Sequence, residues 1–370
     1  MIKRDIKMTY KYLYIDDEEK NVREPFAQQL SDQNIQVDTK HVSEIELSDT
    51  KEIIRLIKYY DGLLLDLRLD QVASEDEKKI KVPFTATVYA QHIRTLVTNG
   101  NIDKDIPIVL FSTDDKLKKV YFVDLTSQDL FDRYIEKTRI PINAKLKLTS
   151  LANGYKIINE EKDIAKLIGL DSLIELDERI FARYDDLTIP THEYAQTILK
   201  DLIYVSGVLI NELMLASRFG IDIEKSDDWE ELKEYFKDTK YIGVFSDGWD
   251  RWWMHLIDDM FSAKTETYLS YLDANERVEL LKKITSLENL VAAEPIEENN
   301  SNRFWTYCKV LEKPLDPLEG FKINTPIEPK PWQEYDYCSL YSILTQKHKS
   351  KGVTVHPSDR ERLEIIRSEY

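Results

Sequence analysis

Four short apolar runs in the first 140 residues each stop at a polar side chain of a different kind. Tyr14-Ile-Asp16-Asp17-Glu18 ends in an acid pair, Asp61-Gly-Leu-Leu-Leu-Asp66 in a single acid, Ile106-Pro-Ile-Val-Leu-Phe-Ser112 in a hydroxyl and Tyr134-Ile-Glu-Lys137 in a lysine. A buried parallel strand that stops at the edge of a sheet has this form. In an open α/β sheet the carboxyl ends of the strands share one rim, so Asp16, Asp17, Asp66, Ser112 and Lys137 are expected to converge. Three carboxylates in one cleft repel one another and call for a cation. Mg²⁺ suits them, because it takes oxygen ligands and keeps waters that a phosphoryl oxygen can replace. The predicted chemistry is acceptance of phosphate on a carboxylate.

Alternating strand and helix patterns surround these residues. Strands are expected over residues 11–15, 35–37, 62–65, 106–111 and 133–136, and helices over 18–30, 50–59 and 83–97. Such alternation implies a parallel sheet with right-handed crossovers, an α/β domain.

With these residues in place, the segment from about Tyr10 to Ile158 resembles the receiver domain of two-component response regulators, a flavodoxin-like (βα)5 fold with a parallel five-stranded sheet. The resemblance implies that Asp66 is the phosphoacceptor, that Asp16, Asp17 and Asp66 hold Mg²⁺, and that Ser112 is the switch hydroxyl. It implies further that Lys137 binds the phosphate, that Tyr134 reorients on activation, and that a histidine kinase or phosphotransfer protein is the donor. The Tyr-x-x-Lys spacing and Leu69, three residues beyond the acceptor, agree with the family pattern. Two features depart from it. Thr138 stands where the family usually has Pro, which questions the usual cis peptide, and a charged run from Asp70 to Pro83 is inserted after the acceptor. That insertion reads either as a loop screening the acceptor or as a tolerated surface addition.

The remainder of the chain is chemically different. Of 370 residues with a net charge of -17, residues 1–150 carry 24 basic and 26 acidic side chains, against 27 and 42 in residues 151–370. All six Trp, at 229, 249, 252, 253, 305 and 332, lie in the later part, as do Cys308 and Cys338. A receiver over residues 1–150 and an acidic, Trp-rich, mainly α-helical output or interaction domain over 151–370 are therefore expected. Helices are read over 190–219, 227–237, 248–263 and 357–370, with a capping box at Asp273-Ala-Asn-Glu276 and extended loop over 294–331. Trp249, Trp252 and Trp253 are read as core residues at helical spacing, in preference to a partner surface. Val244-Phe-Ser246-Asp247-Gly248 is read as a turn, and His192 as a polar residue of a helix's first turn.

No secretory leader pattern or apolar stretch of membrane-spanning length occurs, and two isolated cysteines fit a reducing cytoplasm. The excess of negative charge argues against DNA binding and favours a protein partner for the later domain. The chain resembles atypical response regulators, including receiver-bearing proteins of bacterial phage defence. A receiver-regulated enzyme and a scaffold that is never phosphorylated stay open as alternatives at this stage.

Overall fold

A computed structural model describes residues 9–70, 82–113, 129–174, 176–182, 184 and 189–368. The charged insertion after the acceptor falls almost wholly at 71–81, outside the described residues. Among the described residues five strands form one parallel sheet: β1 (Tyr10–Asp16), β2 (Ile35–His41), β3 (Gly62–Leu65), β4 (Ile108–Ser112) and β5 (Arg133–Glu136), in the order β2-β1-β3-β4-β5. This is the flavodoxin-like strand order. It is flanked by helices α1 (Lys20–Leu30), α2 (Thr50–Tyr59), α3 (Ala86–Thr98) and α4 (Ala144–Glu160).

Two-residue periodicity sorts the strand side chains onto two faces. Leu13, Ile15, Leu63, Leu65, Ile108 and Leu110 pack with Ile53 and Ile57 of α2 and with Tyr89 and Ile93 of α3. On the other face the Tyr12 hydroxyl donates to the Leu148 carbonyl of α4 at 2.7 Å, and Phe26 of α1 meets Phe111 edge-on at 5.6 Å. A Cβ on Gly62 would fall 2.2 Å from the Tyr12 ring, which explains why β3 begins with glycine. Register then fixes the rim: Ile15, Leu65 and Leu110 lie side by side, and Ser112 lies beside Glu136.

At the opposite end of the sheet is a buried ionic network. Arg94 of α3 donates to Asp105 at 2.6 Å and to Asp132 at 3.0 Å, and the Tyr155 hydroxyl of α4 donates to Asp132 at 2.6 Å. His192 opens a short helix, α6 (Thr191–Gln196), which follows α5 (Ile164–Ile168); both its backbone N–H and its Nδ1 reach Asp105, at 2.8 and 2.7 Å. His192 does occupy a first turn, yet it is buried against that carboxylate rather than solvated.

The chain divides into two compact units. The first comprises Met1–Leu173, Phe181–Leu199 and Ile242–Trp249, and the second Ile174–Ile180, Lys200–Tyr241 and Asp250–Tyr370. Residue 150, where the composition changes, falls inside α4. In the first unit, segment 242–249 forms the expected turn. Phe245 adopts φ +69° and its ring fills the space above Gly154, where a Cβ would come within 2.2 Å. Trp249 is buried beside Arg133 and Lys147, whose cationic groups lie 5.6 and 5.5 Å from its ring.

The second unit combines helices, a small sheet and long irregular connections. Its helices include α7 (Glu212–Phe219), α8 (Trp229–Tyr235), α9 (Met254–Thr265), α10 (Ala274–Thr285) and α13 (Arg360–Arg367), the last preceded by α11 (Leu340–Leu344) and α12 (Lys347–Ser350). The single helix or stacked pair read over 190–219 is broken instead by a two-residue strand, β6 (Leu209–Ile210). Trp252 and Trp253 are core residues, but they form the strand β7 (Trp252–Trp253), antiparallel to β6, and not a helical stripe.

The stretch read as extended loop contributes β8 (Thr306–Cys308), β9 (Lys313–Leu315) and β10 (Phe321–Lys322), which join β11 (Tyr337–Cys338) in the order β10-β11-β8-β9. Pro314 lies in β9 at the edge of that sheet, where a missing N–H is tolerated. The Asp273 capping box is formed, with Asp273 accepting from the Glu276 N–H at 3.0 Å and Glu276 accepting from the Asp273 N–H at 2.9 Å. Asp273→Ala is expected to destabilise the second unit by about 1 kcal/mol, read as a shifted urea midpoint with an unchanged slope. No helix among the described residues is long and apolar enough to cross a membrane.

Candidate functional site

β1, β3, β4 and β5 deliver their terminal residues to one rim. Asp16 closes β1 and Asp17 follows it, Asp66 follows β3, Ser112 closes β4, and Lys137 follows β5. All five are buried. Asp16, Asp17 and Asp66 each offer a carboxylate oxygen, and these oxygens lie within 4.8 Å of one another. The Lys137 Nζ stands between two of the acids, 2.6 Å from Asp16 Oδ2 and 2.6 Å from Asp66 Oδ1. Ser112 Oγ donates to Asp66 Oδ1 at 3.1 Å, and the Arg68 backbone N–H donates to Asp66 Oδ2 at 2.9 Å. The sequence-expected convergence of these five residues is therefore present as geometry.

Tyr134 takes a different place. It lies on β5 beside Leu110, with 47 % of its surface exposed. The described backbone contains no cis peptide, so the bond before Thr138 is trans.

Three further residues shape the site. Tyr14 donates its hydroxyl to Asp16 Oδ2, the oxygen that Lys137 also reaches. Its position two residues before Asp16, on the same face of β1, was a readable signal. Arg68 contributes a backbone N–H, which no side-chain pattern reveals, while its guanidinium pairs with Asp70 at 2.9 Å. His41 Nε2 lies 3.0 Å from the Asp17 carbonyl, tying the end of β2 to the acid pair.

Charge compensation decides the protonation states. Burial alone would push the Asp16 carboxyl up, but the Lys137 ammonium outweighs it. With hydrogen bonds from Lys137, Tyr14 and the Glu18 N–H, the lysine holds Asp16 below the ordinary carboxylate range. Burial pulls Lys137 toward neutrality, and the charges of Asp66 and Asp16 reverse that, raising its pKa. Burial, reinforced by Asp16, pushes the Tyr14 hydroxyl far up, so it stays a donor. The rim thus holds ionised acid, charged lysine and neutral phenol side by side.

Three buried carboxylates with oxygens this close fit a hard divalent cation such as Mg²⁺, whose preferred ligands are oxygens. Softer metals favour nitrogen or sulfur ligands, and among the described residues no His or Cys joins the group.

No family model matches the chain, and no curated protein matches it. Solved structures do. A CheY-like response regulator receiver domain from Methylobacillus flagellatus is 19% identical over 37% of this chain and 92% of that one, with a TM-score of 0.25. The BeF3-activated N-terminal receiver domain of RstA from Klebsiella pneumoniae is 20% identical over 38% and 97%, also at 0.25. The response regulator LqsR of Legionella pneumophila is 12% identical over 63% and 76%, at 0.28. Within this chain the parallel pairing and strand order themselves define the receiver-like, flavodoxin-like fold.

Proposed function

We propose that this chain is a cytoplasmic phosphoacceptor of the response-regulator type, with Asp66 as the acceptor. The observation that carries the reading is the Lys137 ammonium held 2.6 Å from both Asp16 and Asp66, beside the Ser112 hydroxyl. The donor is a phosphohistidine of a histidine kinase or phosphotransfer protein. An Asp66 carboxylate oxygen attacks phosphorus, the P–N bond breaks, and its electron pair returns to the imidazole, which takes a proton. Mg²⁺, held by Asp16, Asp17 and Asp66, supplies charge neutralisation on the phosphoryl oxygens when bound. Lys137 then follows the new negative charge and Ser112 turns its O–H toward it. Charge-assisted hydrogen bonds contribute about 1.5–3 kcal/mol each, so two give about 3–6 kcal/mol. Inverting a two-state equilibrium takes about 5.5 kcal/mol, which the upper end of that range reaches with little to spare. Tyr134, half-exposed on β5, is the ring that reports the change on the surface.

The acidic second unit passes the signal to a protein partner and not to DNA, since its surplus negative charge repels phosphates. The deciding experiment exposes the full chain and its Asp66→Asn variant to acetyl phosphate with Mg²⁺, followed by intact-mass measurement. The wild type gains one phosphoryl group and the variant gains none. An unchanged wild-type mass leaves a receiver-like scaffold as the function.

A further inference from the structure

A serine, a histidine and a glutamate stand in line in the second unit. His356 Nδ1 lies 2.8 Å from the Ser358 hydroxyl, and its Nε2 lies 2.9 Å from Glu328 Oε1. The other oxygen of Glu328 accepts from the Tyr335 hydroxyl at 2.7 Å. Separate pieces of chain build this line. The His356 N–H donates to the Lys322 carbonyl at the end of β10, at 2.8 Å. Tyr335 comes just before β11, which pairs with β10, and Glu328 belongs to the connection between those two strands. The Tyr335 ring meets the His356 ring edge-on at 5.7 Å.

The backbone fixes the tautomer. The Ser358 N–H, which can only donate, reaches Nδ1 at 3.2 Å, so Nδ1 is the bare nitrogen and Nε2 carries the proton. That proton faces a carboxylate. Hydrogen bonds from Tyr335 and His356 hold Glu328 below the ordinary carboxylate range, so it stays ionised. The Ser358 hydroxyl is exposed and has two acceptors in reach, Nδ1 and, at 3.2 Å, Asp359 Oδ1. Capping of the short turn Pro357–Asp359 accounts for the contact between Nδ1 and the Ser358 N–H. It does not account for Glu328 and Tyr335 on the far side of the ring. His41 shows the difference. It caps a turn in the same way, with Nδ1 2.6 Å from Ser43 Oγ and 3.2 Å from the Ser43 nitrogen, but its Nε2 meets the Asp17 carbonyl, an uncharged group.

We propose that Ser358, His356 and Glu328 form an acyl-transfer site that hydrolyses carboxylic esters, with Ser358 as nucleophile and His356 as its base. A nucleophilic serine needs a base within hydrogen-bond reach and a third group orienting that base, whatever their order in the chain. Ser358 Oγ attacks the ester carbonyl carbon while its proton passes to Nδ1, and Glu328 faces the imidazolium so formed. The ester C–O bond then breaks, and the leaving alcohol takes the proton from Nδ1. Water attacks the acyl-serine and gives a proton to Nδ1; the carboxylic acid departs as that proton returns to Oγ. Esters suit an exposed nucleophile, since an alcohol leaves more readily than an amine. Glu328 is a positioning residue in this scheme. The reading is independent of phosphate acceptance at Asp66.

The test exposes the full chain to a fluorophosphonate probe, from whose phosphorus a nucleophilic serine displaces fluoride, and to p-nitrophenyl acetate. Intact mass and peptide mapping are expected to find one probe group on Ser358 and none on Ser43. Ser358→Ala takes up no probe and loses the ester turnover, with an unchanged urea midpoint because the side chain is exposed. His356→Asn keeps a side chain that can cap the turn but removes the base, and labelling slows by about 100-fold or more. Glu328→Gln slows it about fivefold, as befits an exposed partner. A wild type that takes up no probe overturns the proposal, as does equal labelling of Ser43 and Ser358. So does a His356→Asn protein labelled as fast as wild type; should that variant not fold, labelling of Glu328→Gln at the wild-type rate is the overturning result. Phosphorylation by acetyl phosphate is the same in wild type and Ser358→Ala, so failure here leaves the phosphoacceptor reading standing.

Discussion

Replacing Lys137 by Met is expected to tighten Mg²⁺ binding about tenfold at pH 8 and to make thermal stability strongly metal-dependent. The ammonium lies 2.6 Å from an oxygen of Asp16 and an oxygen of Asp66, two of the three acids that would hold the ion. A cation entering among those oxygens competes with one already there, so removing the lysine removes the competitor. The cost appears when no ion is present. Asp16 and Asp66 then lose the ammonium between them, and losing one partner of a buried ion pair costs about 3–5 kcal/mol. Ligand linkage returns about 2.7 kcal/mol once Mg²⁺ reaches a hundred times its dissociation constant. Calorimetric melting in EDTA and in excess Mg²⁺ should show a much wider gap for the variant than for wild type, and isothermal titration should give the affinity. Equal Mg²⁺ affinity in the two proteins would mean that the ion does not lie where Lys137 lies, and the site would have to be redrawn.

The second large effect is at the other end of the sheet. Arg94→Leu removes the guanidinium that bridges Asp105 and Asp132, both buried. The expected loss is about 3–5 kcal/mol, or roughly 6–20 °C in melting temperature for a unit of this size. Its pH dependence identifies the cause. In wild type, burial would raise the Asp105 carboxyl, but Arg94 outweighs it and, with His192, holds it below its ordinary value. A depressed carboxyl contributes stability above its unfolded pKa of about 3.9 and loses it as pH falls through the folded value. Without Arg94 burial dominates, the folded pKa rises, and the variant suffers most when the acid is forced to ionise. The difference in melting temperature between the two proteins should therefore narrow from pH 7.5 to pH 5. A constant difference would point to lost packing and not to charge.

The rim was legible in the sequence because each of its residues ends an apolar run, and strand ends in an open sheet have only one place to meet. Gly62–Leu65 and Arg133–Glu136 fall where the pattern puts them, and Thr50–Tyr59 is a helix as read. Arg94 gave no such signal, since an arginine on an amphipathic helix ordinarily faces water, and its partners lie 11, 38 and 61 positions away. In the second unit, strands of two or three residues are too short to show alternation. Trp252 and Trp253 look helical because their spacing from Trp249 matches a turn, while pairing with Leu209 and Ile210 decides otherwise.

The packing of Phe245 against Gly154 places a late piece of chain in an early body. On a ribosome adding roughly 5–20 residues per second, residue 245 emerges about 5–20 s after the helix it covers. Until then the nascent amino-terminal body carries an open apolar groove, which makes it a candidate client for chaperones during synthesis. For the same reason a fragment ended at residue 173 should be prone to aggregate.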